Sequence, residues 1–131
     1  MKAEAKAAPI LQDNARAVDI FISGGKGRHY VINGLYSPTQ ETGQDGRTLY
    51  RMCGAHGEQV LCIEYFEGRW QVKNQSDRGS SACLAYVYSI YSIVEGGCAL
   101  EDCCSRTWKV VDGDDFVDGP SVRMVTVTDA D

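Results

Sequence analysis

Cys53-Gly54-Ala55-His56, together with Cys98, Cys103 and Cys104, are the residues of this chain best suited to chemistry. Thiolate and imidazole are the donors of a tetrahedral Zn²⁺ site, and a fold that joined these two segments would supply enough of them. The second segment is spaced Cys-x4-Cys-Cys, whereas paired zinc knuckles use Cys-x2-Cys. Cys53 and His56 also have the composition of a nucleophile and its base, but no orienting third group or oxyanion donor accompanies them. Neighbouring Cys103 and Cys104 join only through a strained ring, so they read as two reduced thiols.

Three further patterns resemble sites and lack a defining part. Gly24-Gly25-Lys26-Gly27-Arg28 has the glycines and cations of a phosphate cradle, yet a strand-like alternation follows where a P-loop requires Gly-Lys-Ser/Thr opening a helix. Asp112-Gly113-Asp114-Asp115 with Asp118-Gly119 offers oxygen ligands without the length and terminal Glu of a calcium loop. Tyr30, Tyr36, Tyr50, Tyr65, Tyr86, Tyr88 and Tyr91, with Trp70 and Trp108, suit a pleated core whose polar tips reach the rim. Tyr88 and Tyr91 lie on opposite faces of an apolar run and are the aromatics placed to line a ligand groove or partner surface. No catalytic, cofactor-binding or metal-ligating residue is assigned from these patterns, and no cofactor is expected.

Charge and cysteine usage bound the setting. The 131 residues carry a net charge of −5, and residues 112–131 hold six Asp and a single Arg, so the excess negative charge lies there. An acidic end and a balanced remainder leave no basic stripe for a phosphate backbone, so no nucleic-acid partner is expected. Nothing has the apolar length of a signal core or a membrane span, which predicts a cytoplasmic protein without a membrane partner, its six cysteines reduced.

The elements that must position these residues are strands. Residues 1–17 read as an N-terminal extension, disordered or partly helical; 18–128 as a single β domain; 129–131 as an acidic tail. Val18, Ile20 and Ile22 alternate as a first strand, and His29–Ile32 reads as a second after the glycine run. Asn33-Gly34 suits a tight turn or a bulge, and Ser37–Gly46 reads as a polar loop. Arg47–Met52 places Thr48, Tyr50 and Met52 inward, and Gln59–Phe66 places Leu61, Ile63 and Tyr65 on one side. Glu67-Gly68 makes a short hairpin to Arg69–Lys73, where Trp70 and Val72 point inward and three polar residues outward. Ala82–Val94, apolar on both faces, reads as a central strand covered on both sides. Ala99–Cys104 holds one helical turn. Trp108-Lys109-Val110, a Gly/Asp-rich loop and a strand Val122–Thr128 echo the segment that begins at Trp70.

Ile32-Asn33-Gly34-Leu35-Tyr36, Gly46-Arg47-Thr48-Leu49-Tyr50-Arg51, Gly68-Arg69-Trp70-Gln71-Val72 and the later Trp108-Lys109-Val110 together resemble a small uncharacterised β module that recurs in protist and algal proteins. The resemblance spans about residues 24–117, with Asp45 where the module carries an Asn. It implies a fold and no activity, because its motifs are turn and core residues.

These readings predict an all-β chain: one small antiparallel barrel or sandwich of about seven or eight strands with at most one short helix. The function expected of it is non-catalytic binding of a protein partner or self-association. The alternatives are a small zinc- or thiol-dependent enzyme built on Cys53 and His56, with Cys98, Cys103 and Cys104 as further ligands, and a structural subunit of an oligomer.

Overall fold

The computed structural model describes residues 18–54, 60–88, 99–104 and 106–127. It is all-β, with nine antiparallel strands in one curled half-barrel sheet. The strands are β1 (Asp19–Ser23), β2 (Gly34–Thr42), β3 (Thr48–Met52), β4 (Leu61–Phe66), β5 (Arg69–Asn74), β6 (Ala85–Tyr88), β7 (Trp108–Asp112), β8 (Asp115–Gly119) and β9 (Arg123–Val127). Their order in the sheet is β8-β7-β6-β5-β4-β3-β2-β1-β9. Eight strands meander and the ninth returns to β1, so β8 and β9 are consecutive in the chain yet occupy the two edges. Short 3-10 turns at 27–32, 44–46, 75–77 and 100–103 are the only helical elements among the described residues. None of the described helices is long and apolar enough to cross a membrane.

Alternation decides the faces. Ile20 and Ile22, Tyr36, Tyr50 and Met52, Leu61, Ile63 and Tyr65, Trp70 and Val72, Ala85 and Val87, Trp108 and Val110, and Met124 line the concave face and form one buried cluster. The register carries Val72 across Ala85 to Val110 and sets Trp70 opposite Val87, so the two Trp-x-Val segments flank β6 on either side. Both indoles are fully buried, and truncating either to Ala would cost about 3–5 kcal/mol. Tyr50 and Tyr65 meet Trp70 edge-on at centroid distances of 6.0 and 5.2 Å.

Five sequence expectations give way to tertiary contacts. His29–Ile32 is part of a 3-10 turn over Gly27–Ile32, although its residues favour strands. The glycines at its entrance take positive φ, at Gly24 and Gly27, and His29 Nε2 reaches Val111 O of β7 at 2.6 Å. Asn33 forms no hairpin turn: its Oδ1 accepts from Gly25 N at 2.8 Å and its Nδ2 donates to Gly25 O at 3.1 Å. Much of the polar segment Ser37–Gly46 is strand, because β2 runs to Thr42 through a register shift after Pro38, where the missing N–H is tolerated. The Gly/Asp-rich loop after Val110 contains a further strand, β8, which with β2 raises the number from eight to nine.

The fifth correction concerns β5, where the outward Gln71 and Lys73 are as buried as the inward Trp70 and Val72. Gln71 and Lys73 are fully buried because the segment after β5 folds back over the convex face. Lys73 Nζ donates to Glu64 Oε1 and to Ser80 O, each at 2.7 Å, and Gly79 N lies 3.1 Å from both Glu64 oxygens. Around this pair Arg51 reaches Gln75 Oε1 at 2.8 Å and Glu41 Oε2 at 3.0 Å, and Arg78 reaches Glu41 Oε1 at 2.6 Å. Hydrogen bonds from Arg51 and then Arg78 hold the Glu41 carboxyl below its ordinary pKa. Burial, with Glu64 nearby, pushes the Cys62 thiol up to about 11.

Candidate interaction site

The sheet stops short of closing at the seam between β8 and β9, and the reason is local. Val122 N donates to Gly119 O at 3.0 Å, so Gly119-Pro120-Ser121-Val122 is a tight β-turn between two strands that do not pair with each other. Pro120 is fixed near φ −65° by its ring, and Glu67 is the only non-glycine with positive φ among the described residues, so Ser121 is negative as well. Two negative central φ values make a type I turn, whose twist opposes that of paired strands and splays them.

The corner is also pinned from outside. Ser121 Oγ donates to Gly24 O at 2.7 Å, and a Cβ on Gly24 would stand 1.8 Å from Ser121 O, so only glycine fits there. Thus β8 pairs along β7, β9 pairs along β1, and the facing edges separate.

Between the start of β9 and the segment leading into β7 lies a groove of about 460 Å³. Cys104, Arg106 and Thr107 form one wall and Pro120, Arg123 and Val125 the other. Arg106 Nη1 donates to Tyr88 O at 2.6 Å, which fixes this cation at the rim. The edges themselves carry exposed apolar side chains, Val117 at 42% on β8 and Val125 at 50% on β9, with Phe21 of β1 beside Val125. Exposed valines on unpaired strands are what most β proteins avoid.

From β8 an aromatic surface continues over the convex face. Tyr86 packs edge-on against Phe116 at 5.0 Å and Tyr88 at 5.3 Å, with the Arg69 guanidinium 4.7 Å from the Tyr86 ring centre. Burial, and then Tyr88, raise the Tyr86 pKa. Tyr88 is half exposed, while Tyr91 lies outside the described residues.

The residues singled out for metal or thiol chemistry do not converge where they are described. Cys103 is buried in the core cluster and donates to Ala99 O at 3.5 Å, whereas Cys104 is exposed in the groove. Cys53 is exposed at the end of β3 with its sulfur 3.2 Å from Ser37 Oγ, and a serine hydroxyl is no general base. No three His, Cys, Asp or Glu side chains group as a metal site among the described residues. His56, Cys98, the extension at 1–17, residues 89–94 of the apolar run and the tail at 128–131 lie outside the described residues.

The remaining candidates are architectural. Gly24 and Gly25 are packed at the entrance to the 27–32 turn, with Lys26, Gly27 and Arg28 exposed after them, and Asp112-Gly113-Asp114-Asp115 is the β7–β8 hairpin turn, with Gly113 at φ 67. Residues that carry the module resemblance serve packing: Tyr36 OH donates to Ile32 O at 2.7 Å, and Tyr50, Trp70, Val72, Trp108 and Val110 are core. Of the seam residues, Pro120, Arg123, Val125 and Phe116 were not singled out as a site by sequence, and Asp118 only as an oxygen ligand beside the Asp112–Asp115 run. Pro120 between two alternating runs is the signal that marks them. Comparison with known protein families, with curated proteins and with solved structures finds no match to this chain.

Proposed function

We propose that this domain is a non-catalytic interaction module that accepts an extended strand at the β8/β9 seam. The observation that carries the reading is the edge of β9, unpaired among the described residues and lined with an exposed valine and a groove. Such an edge offers main-chain hydrogen bonds to any extended segment, and the flanking side chains select which segment binds. The aromatic surface of Tyr86, Tyr88 and Phe116, with Arg69, has the residue types that dominate binding energy at protein interfaces. We take the resemblance to the recurring β module as part of the same proposal, since its motif residues hold core and turns and leave the seam free to vary.

The test compares two forms of the domain immobilised in native cytosolic extract. Thr126→Pro removes an N–H that β9 turns toward the seam and leaves the β9–β1 ladder in place, so it should block an added strand. The native domain should retain a partner that the proline form does not. Retention of the same proteins by both, or of none by either, contradicts the reading.

A further inference from the structure

The free edge of β9 sets where a strand joined to it must end. Cys53 N donates to Leu35 O, and the alternation carried from there through β2 and β1 turns the main-chain groups of Arg123, Val125 and Val127 toward β1. Those of Val122, Met124 and Thr126 therefore face outward. Among the described residues, Met124 and Thr126 are open to an added strand. Val122 is not, because its N–H already donates to Gly119 O at 3.0 Å. A ladder built on this edge ends opposite Arg123, since Gly119 holds the place that its next residue would take.

Charge sets the direction of that strand. Arg106 and Arg123 line the groove at this closed end, and none of the described residues that line it is acidic. Arg106 is held at the rim by its bond to Tyr88 O, and Arg123 is exposed with no carboxylate partner among the described residues. In a chain of net charge −5, this end of the edge is locally cationic. A strand antiparallel to β9 brings its C-terminus there, and a parallel strand its N-terminus. Guanidinium groups favour the first, because a carboxylate matches their planar fork and an ammonium repels them.

The same register assigns the side chains. With its last residue opposite Arg123, an antiparallel strand exchanges main-chain bonds with Met124 through its second-last residue and with Thr126 through its fourth-last. Its third-last and fifth-last side chains then lie beside Val125 and Val127, which are 50% and 39% exposed, with Phe21 of β1 opposite Val125. Apolar residues at those two positions cover them.

We propose that the β9 edge captures the free C-terminus of a partner chain: an extended tail antiparallel to β9, apolar at its third-last and fifth-last residues, with its terminal carboxylate at Arg123 and Arg106. This deepens the interaction-module reading and rests on it. A chain end is required, rather than an acidic side chain within a longer segment, because Gly119 closes the ladder beyond Arg123.

Fluorescence anisotropy tests the capture with a labelled peptide, Gly-Ser-Gly-Val-Thr-Val-Thr-Ala, that ends in a free carboxyl group. It should bind the native domain at concentrations below about 1 mM. The same peptide as its C-terminal amide, or extended by Gly-Ser-Gly, should bind at least about tenfold more weakly, since either change removes the anion from Arg123. Arg123→Gln should weaken the free acid to a similar degree and leave the amide unchanged, a split that a general loss of structure would not produce. Thr126→Pro should abolish binding of all three peptides. Circular dichroism of both variants should match that of the native domain.

Acid, amide and extended peptides that bind equally, and lose binding together on Thr126→Pro, overturn the chain-end proposal and leave the strand-accepting edge standing. A native mass by light scattering above 14.4 kDa that returns to that value with Thr126→Pro gives the edge to a second copy and overturns capture of a partner's tail. Failure of the free acid to bind also overturns it, and if the extract retains no partner either, the module reading falls with it.

Discussion

Two tight connections of equal length end differently in this molecule. Glu67-Gly68 takes φ values of 54° and 80°, a type I′ turn, and β4 and β5 pair from Leu61↔Asn74 through to Phe66↔Arg69. Pro120-Ser121 takes negative φ at both positions, and the strands it joins part company at once. The β4–β5 wall is then buried on both faces, its convex side sealed by the Glu64–Lys73 pair and the segment over it. The β8/β9 seam keeps its valines in solvent. Turn chemistry, more than strand composition, separates closed wall from open edge.

The wall should be where charge matters most. Lys73→Met leaves Glu64 buried without its partner and should destabilise the fold by about 3–5 kcal/mol, read from urea unfolding. Adding Glu64→Leu should recover most of that loss, because the isolated charge is then gone. At the seam, Arg123→Glu should shift the monomer's stability by less than about 0.5 kcal/mol, as expected of an exposed position. Comparable losses at the two places would erase the distinction.

Thiol chemistry sharpens the same comparison at smaller scale. Cys53 and Cys104 are exposed and should react with iodoacetamide in the folded protein, whereas Cys62 in the wall and Cys103 in the core should react only on unfolding. Burial raises the Cys62 pKa from 9.0 to about 11, so the native state binds the thiol proton more tightly than the unfolded chain. Its contribution to stability is complete below pH 9.0 and should fade as pH rises through about 11. A Cys62→Ala comparison across that range, by thermal unfolding, should show a shallower loss in the variant, the remainder coming from Tyr36 and Tyr86, whose pKa values burial also raises.

Much of the wall was readable from sequence and much of the seam was not. Glu67-Gly68 between alternating runs predicts the hairpin that forms, with Trp70 and Val72 inward. What covers Gln71 and Lys73 is not local: the segment over them is fixed by Gly79 N on Glu64 and Arg78 on Glu41. Asp-Phe-Val-Asp-Gly hid β8 because three of its five residues, Asp115, Asp118 and Gly119, favour loops and turns. His29–Ile32 misled in the opposite sense, since strand-favouring residues were drawn into a turn by His29 on Val111 and Asn33 on Gly25. Within the site, Pro120 is legible in principle, but which edge amides face the seam requires knowing how β8 pairs with β7 and β9 with β1.

The smallest expected effect lies on the rim of the wall. Glu41 is exposed, and its lowered pKa comes from Arg51 and Arg78. A depressed carboxyl adds stability above its unfolded pKa and loses it as pH falls through the folded value. Glu41→Gln should therefore be slightly less stable than the native chain at neutral pH, and thermal melts should show the gap closing in acid and shrinking with added salt.

Amide hydrogen exchange tests most directly the claim that the seam is open. Val111 N donates to Leu84 O, so Val110 and its partner Val117 turn toward each other and the N–H groups of Phe116 and Asp118 face the seam. Cys53 N donates to Leu35 O, and the same alternation carried through β1 leaves the N–H groups of Met124 and Thr126 on the outer side of β9. Under conditions that keep the chain monomeric, these four amides should exchange at least about tenfold faster than those of Ile63 and Val72. Amides at these positions as slow as the wall's in the native monomer would contradict the open seam and the binding role built on it.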